Sequence, residues 1–389
     1  METTRHDSAD SLDATGSTGS TGSADSADST GSAGLAALTA AVAVEYAGLA
    51  PGYLNTATLG VLPARTGEAL RGCVDAWAAG RPDVDGFESA VVDCRASFAR
   101  ITGVPVEQVA LAGTVAGAVG LISAGLPAGA EVVLAEEDFS SLVQPFAART
   151  DLDVRLVPLA GIAEAVRPGT ALVAVSAAQS ADGRVADLAA VRAAAAEHGA
   201  RTLLDGTQSV GWLPVDAGDY DYLVCHGYKW LTSPHGACFL TVRPGAEPTL
   251  SASFAGWYAA ADPWASCYGP IAELAPGARQ FDARPAYPSF VGAARSLALI
   301  EEVGVPAIHA RALALAERLR SGLAGLGYEP VARLGADSAI VAAGMRPETA
   351  DRLTAAGVTF SARAGNLRLS PHFYNSEADV DQALNALTP

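Results

Sequence analysis

The sequence predicts an α/β fold: a large domain with a mainly parallel sheet, followed by a smaller C-terminal α+β domain. Three observations predict it. From about residue 63 to 242, short apolar runs alternate with helical stretches, the pattern of a sheet covered by helices on both faces. A chain of 389 residues, 50% hydrophobic and 17% charged, is long enough for one large and one small core. A second alternation of helix and strand closes the chain from about residue 291.

Taken in order, residues 1–34 are a Ser, Thr, Gly, Asp and Ala segment with too little apolar surface to offset the entropy of ordering, and a disordered tail is expected. Folding is expected to start near Leu35. Residues 51–60 read as a short strand running into a glycine-containing loop. Strands are predicted at 108–112, 131–135, 171–177, 202–205, 222–225 and 237–241. The best-marked helix is Leu188–His198, capped by Asp187 and stopped by Gly199. Residues 251–290 are irregular and aromatic-rich, and helices follow at 289–302 and 306–323. The expected division is a large domain over 35–290 and a small one over 291–389.

The net charge of -17 argues against nucleic acid or an anionic membrane as partner. Five cysteines without CxxC spacing fit reduced thiols in the cytoplasm. The polar, acidic start has no apolar h-region, so no secretory signal is expected, and no apolar stretch reads as a membrane span. No metal-spaced His/Glu pair, GxGxxG or Walker loop is present.

Lys229 is the only lysine in the chain. Arginine is the default cation here, and arginine stays protonated, whereas a desolvated lysine loses its proton and forms Schiff bases. Asp205 ends an apolar run, Thr-Leu-Leu-Asp, and Lys229 follows after one more predicted strand. By itself Asp205 reads more readily as a helix N-cap or turn residue than as a cofactor partner. Paired with the sole lysine, it matches what pyridoxal 5'-phosphate needs: a carboxylate to keep the pyridine nitrogen protonated and an amine to hold the aldehyde.

The runs Leu-Asp-Gly-Thr-Gln-Ser-Val-Gly over 204–211, Tyr-Leu-Val-Cys-His-Gly-Tyr-Lys-Trp-Leu over 222–231 and Pro-His-Gly over 234–236 resemble the class V aminotransferase family. The resemblance covers roughly residues 50–389. It implies a fold-type I enzyme dependent on pyridoxal phosphate, with a seven-stranded-type sheet, a small-molecule amino acid or oxo acid substrate, and a homodimer with its site at the interface. It further implies that Lys229 is the Schiff-base lysine, Asp205 the partner of the pyridine nitrogen, and Gln208 the donor to the phenolic oxygen. Thr114 and Val115, after a strand and opening a helix, fall where a phosphate binds. His226 stands where many relatives have a hydroxyl residue for the phosphate, and imidazole can also donate there. Phe139 aligns with the residue stacked on the cofactor ring, where desulfurases have histidine. Gln179 aligns with a polar residue near the phenolic edge. Arg368 resembles the substrate-carboxylate arginine, ahead of a Tyr-Asn pair at 374–375, and Asn55 resembles an N-terminal active-site asparagine lining the substrate site.

These features imply an aminotransferase most simply, with a C–S lyase or an epimerase as alternatives within the same chemistry. A degenerate homologue that only binds the cofactor is the alternative outside it; Lys229, Asp205, Gln208 and Arg368 together argue against that. Two departures weigh against a persulfide-forming desulfurase. Tyr228 replaces the histidine before the lysine, and no cysteine lies between Tyr328 and Arg368.

Overall fold

The computed structural model describes residues 24–388. Helix α1 (Ala24–Glu45) opens it, followed by α2 (Ala64–Ala78) and α3 (Val84–Thr102). Part of the segment expected as a disordered tail is therefore helical from Ala24, continuous with the half of α1 that packs on the core through Leu38. The remainder of that segment lies outside the described residues.

The large sheet is built from β1 (Val109–Ala112), β2 (Glu131–Ala135), β3 (Asp153–Val157), β4 (Thr170–Ser176), β5 (Arg201–Asp205), β6 (Tyr222–His226) and β7 (Cys238–Val242). Their order is β1-β7-β6-β5-β4-β2-β3. All neighbours are parallel except β7, which runs antiparallel to both β1 and β6. Alternate residues of each strand divide between two apolar layers, as a period of two requires. Val133, Val173, Leu204 and Leu223 face one layer with α3, and Val132, Leu172, Leu203 and Val224 face the other. That second layer is closed by α4 (Val115–Gly125) and α5 (Ser140–Ala147). Strand β3 has no counterpart among the predicted strands. It is a half-exposed edge carrying Asp153 and Arg155, and pairing with β2, reinforced by the Arg155–Glu131 ion pair, is what makes it a strand.

Helix α6 (Leu188–His198) has the expected ends: the Asp187 side chain accepts from the N–H of Ala190, and Gly199 sits at φ 70°. Helices α7 (Tyr287–Val303) and α8 (Val305–Gly325) follow the aromatic-rich segment. A second sheet of β8 (Val341–Gly344), β10 (Asn366–Leu369) and β9 (Ser361–Arg363), in that order and antiparallel, packs with α9 (Thr349–Ala355) and α10 (Glu377–Leu387). Contacts run across the expected boundary between residues 290 and 291. Helix α7 packs on α2 and α3 of the large domain. Conversely, residues near 53–55 form isolated bridges to residues flanking the small sheet, Tyr53 with Thr359 and Asn55 with Ser370, and Leu54 is buried in the smaller core.

Candidate active site

Parallel strands bring their carboxyl ends to one edge, and ligands of such sheets bind beyond it. Here the ends of β1, β2, β4, β5 and β6 deliver Thr114, Phe139, Ser176, Asp205 and His226 to one cavity of about 160 Å³. Lys229 reaches it from the loop after β6, and Val115, Ser180, Gln208, Tyr228 and His235 complete much of the wall.

Lys229 is 5% exposed. Burial pushes its ammonium down to about 8, partly opposed by the charge of Asp205. Its Nζ lies 5.5 Å from the centre of the Phe139 ring and 5.4 Å from that of Tyr228. Asp205 is 4% exposed and accepts from the N–H of Thr207 at 2.8 Å. Burial raises its carboxyl to about 6 against the lowering effect of the Thr207 hydrogen bonds. A buried acid and a buried amine, each disfavoured when charged without a partner, therefore share one cavity.

At the other end of the site, Thr114 caps α4, its hydroxyl accepting from the N–H of Gly117 at 3.1 Å. The first N–H groups of a helix have no carbonyl partner within it, and Val115 provides one of them at the cavity wall. The His226 Nε2 accepts from the backbone N–H of Gly236 at 3.0 Å, which puts the ring hydrogen on Nδ1. Burial, helped by His235 and Lys229, holds its imidazolium down to about 4. His235 stacks on Tyr228 at 3.9 Å.

The remaining expected residues are placed less simply. Gln208 lines the cavity, but both hydrogens of its amide are already engaged, by the Ala57 carbonyl at 2.9 Å and the Ser180 hydroxyl at 3.0 Å. Its oxygen accepts from Trp230 Nε1 at 2.9 Å. Gln179 is buried behind the wall and donates to Asp138 at 3.2 Å, leaving its Oε1 without a partner. Arg368 is 1% exposed. It donates through one terminal nitrogen to the Ser180 carbonyl and hydroxyl and through the other to Thr58 Oγ1 at 2.6 Å. Its Nε is buried without an acceptor. Burial lowers it to about 10, so it stays charged at neutral pH. Asn55 is not brought into the cavity: its side-chain oxygen accepts from Ser361 at 2.7 Å, because its backbone is bridged to Ser370 beside the small sheet.

Three residues escaped the sequence reading: Thr58, Ser180 and Asp138. Thr58 and Ser180 hold Arg368; Ser180 is one residue beyond Gln179, and only long-range contacts show its place. Asp138, just before Phe139, accepts from the N–H groups of Phe139 and Ser176, the Ser176 hydroxyl and Gln179. It thereby ties the end of β2 to the end of β4. Tyr374 bonds Thr56 Oγ1 at 2.6 Å, and Asn375 donates to the Tyr53 carbonyl at 2.9 Å. The Tyr-Asn pair thus pins the N-terminal segment over the site.

Gly60 makes that segment's closest approach. Its N–H donates to the Tyr228 carbonyl at 2.9 Å, and a Cβ there would lie 1.9 Å from the Lys229 carbonyl oxygen. Gly60→Ala is expected to displace the lysine loop at a cost of about 1–3 kcal/mol and to weaken cofactor retention. Thermal unfolding with and without cofactor measures both.

Comparison with known proteins identifies the family. The Aminotransferase class-V family model matches residues 87–383. The chain is 26% identical over 316 residues to the "Uncharacterized aminotransferase YcbU" of Bacillus subtilis (strain 168), covering 75% of this chain and 82% of that one. It is 28% identical over 381 residues to isopenicillin N epimerase of Streptomyces clavuligerus, covering 86% and 94%. Among solved structures, the cystine C-S lyase C-DES in complex with cysteine persulfide superposes with TM-score 0.78 at 22% identity, over 87% of this chain and 98% of that one. A lysine-to-alanine mutant of C-DES, with glycine covalently linked to its PLP cofactor, superposes with TM-score 0.79 at 22% identity, over 88% and 98%.

The cavity suits that cofactor by its own chemistry. It offers an amine to an aldehyde, a buried carboxyl to a pyridinium, and a helix start with an imidazole N–H to a phosphate. The cofactor is pyridoxal 5'-phosphate, and the chain belongs to the class V aminotransferase family.

Proposed function

We propose that this protein is an aminotransferase acting on an α-amino acid, with Lys229 as its Schiff-base residue and its proton carrier. One observation carries the reading: Lys229 is a buried amine held near pKa 8, and the ring beside it at the stacking position, Phe139, cannot move a proton. The bound cofactor supplies an electron sink. Lys229 Nζ takes the proton from the substrate's Cα, which its depressed pKa suits near neutral pH. Asp205 pairs with the ring nitrogen, and that positive partner keeps its carboxyl ionised despite burial. The start of α4 with Thr114 and Val115, together with the Nδ1–H of His226, receives the phosphate. Phe139, 47% exposed at the mouth, covers the cofactor ring and shields it from water. Arg368 binds the substrate carboxylate, exchanging its contacts with Ser180 and Thr58 for two parallel hydrogen bonds.

Arg368→Lys is expected to raise KM for a carboxylate-bearing substrate about tenfold to a hundredfold, ~1.5–3 kcal/mol, with a smaller change in kcat. The same variant acting on the corresponding amine without a carboxylate gives the control.

Cleavage of a Cβ–S bond is the second reading, and the cysteines define its form. Cys73, Cys94, Cys225 and Cys238 are buried, Cys267 is exposed on a loop, and none lines the cavity. A sulfur leaving group would therefore be released, not carried as an enzyme persulfide. Mixing the cofactor-loaded protein with a panel of amino acids tests both readings. Release of a 2-oxo acid with conversion of the cofactor to its amine form, reversed by a second oxo acid, supports transamination. Release of a thiol or sulfide with pyruvate, while the original absorbance returns, overturns it in favour of the lyase.

The reading includes a homodimer. Val74 and Trp77 on α2 and Val92 on α3 are more than half exposed, apolar side chains that a second copy would cover.

A further inference from the structure

Strands β9 and β10 place a second arginine beside Arg368. Their register pairs Ser361 with Arg368 and Arg363 with Asn366. Alternate residues of a strand share a face, so Ser361, Arg363, Asn366 and Arg368 stand on one side of the small sheet. The other side carries Phe360, Leu367 and Leu369 into the smaller core. The polar side faces the catalytic cavity: Arg368 donates to Ser180 at the cavity wall and to Thr58, and Ser361 Oγ meets Thr58 Oγ1 at 2.9 Å. Arg363 and Arg368 are diagonal neighbours there, about 7–8 Å apart in such a pairing.

The turn between the strands holds this arrangement. Only Ala364 and Gly365 connect β9 to β10, with φ of 46° and 79°. Two positive values in a two-residue loop make the tight hairpin turn whose twist matches its strands. Glycine adopts that backbone freely, whereas alanine does so against the crowding of its Cβ. Strain of this kind persists where the surroundings over-determine it, and it collects at ligand-holding sites. At Ala364 it fixes the direction in which Arg363 leaves the sheet.

Two guanidinium groups on neighbouring strands repel one another, and neither is ion-paired among the described residues. Arg368 rests on Ser180 and Thr58, while Arg363, which is exposed, donates to the adjacent Ala362 carbonyl at 2.8 Å. Burial is the main cause of the lowered pKa of Lys229 and of Arg368, and the charge of Arg363 lowers both further. Arg363 is thus near enough to be felt in the site. One carboxylate fills one guanidinium fork, so a substrate with an α-carboxylate alone would leave Arg363 uncompensated. We infer that Arg363 is a specificity residue that binds a second carboxylate, and that the substrate is an acidic α-amino acid. Its α-carboxylate goes to Arg368 and its side-chain carboxylate to Arg363. The long, exposed side chain of Arg363 can fold onto the ligand at the mouth of the site. The pair also supplies the local positive charge that a dianion needs to approach a protein of net charge -17.

The inference rests on the reading of Arg368 as the α-carboxylate residue but not on which reaction follows, so its test uses no amino acid. Butyrate, malonate, succinate, glutarate and adipate are titrated calorimetrically into the cofactor-loaded wild type, Arg363→Gln and Arg368→Gln. The wild type is expected to bind the dicarboxylate of matching length at least about tenfold more tightly than butyrate, the scale of a charged hydrogen-bonded pair. Arg363→Gln is expected to lose that preference and to keep the wild-type affinity for butyrate. Arg368→Gln is expected to weaken both kinds of ligand. A wild type that prefers no dicarboxylate, or a preference that survives Arg363→Gln, would overturn the inference. A loss in Arg363→Gln that is equal at every chain length would also overturn it, because a distant charge acts in that way without contact. Butyrate binding untouched by Arg368→Gln would overturn the reading of Arg368, and this inference with it. A defect confined to Arg368→Gln would leave that reading standing and remove Arg363 alone.

Discussion

Lys229→Ala is expected to abolish the visible absorbance of the lysine-bound cofactor and to lower kcat/KM by at least about 10⁴, the upper range for a positioned general base. The size of the effect follows from the absence of a substitute. No other lysine exists in the chain. Phe139 carries no proton, and burial keeps His226 neutral with its Nε2 occupied by Gly236. Arg368 stays charged at neutral pH. The noncovalent contacts at Thr114, Val115, His226 and Asp205 are untouched by the substitution, so the variant is expected to bind the cofactor still, reversibly and more weakly. Dialysis of the loaded variant, followed spectroscopically, checks this. A variant that kept its activity within tenfold of wild type would remove Lys229 from the mechanism.

Asp205→Asn is expected to have opposite effects on activity and on the stability of the cofactor-free protein. The carboxyl of Asp205 is raised from 3.8 to about 6 by complete burial. A raised folded-state pKa means that the folded protein binds the proton more tightly than the unfolded chain. Its favourable contribution is fully present below pH 4 and is lost as pH rises through about 6. At pH 7 the ionised group thus costs the cofactor-free protein about 3 kcal/mol. Asparagine keeps the shape and the acceptor for the Thr207 N–H without the charge. The cofactor-free variant is therefore expected to unfold at higher temperature than wild type at pH 7, with the difference closing below pH 4. With cofactor present, loss of the ring-nitrogen partner is expected to reverse the ranking and to lower kcat by about 10² or more. Thermal unfolding across pH 4–8, with and without cofactor, reads both signs. A cofactor-free wild type more stable than Asp205→Asn at pH 7 would show that the carboxylate is satisfied by the protein alone. The arrangement is a local sacrifice of stability of the kind expected where a site is built for a charged ligand.

Much of the site was legible in the chain because its chemistry is carried by unusual residues at strand ends. Lys229 stands out as the only lysine, and Asp205 as a carboxylate closing an apolar run; the fold brings both to one cavity. The helix at Leu188–His198 was legible from its two ends, since Asp187 and Gly199 act within a few residues of the helix they bound. Strand β3 was not, because two of its five residues are charged and its stability comes from β2. The family resemblance pointed to Asn55 and Gln208, whose residue types are right for the site. Their hydrogen bonds are set by partners far away in sequence, Ser361 for one and Ala57 for the other.

The sequence by itself determined the alternation of strand and helix, the sole amine and the buried acid. These depend on residue type and on spacing within a few turns of chain. Only the tertiary structure decided which hydrogen each polar group has left to give. Arg368 meets Ser180 and Thr58 across separations of 188 and 310 residues, and the N-terminal segment crosses to the small sheet to bring Thr58 there. Donor and acceptor balance is a property of neighbours in space. In this protein the neighbours that matter are supplied by segments that the chain order keeps far apart.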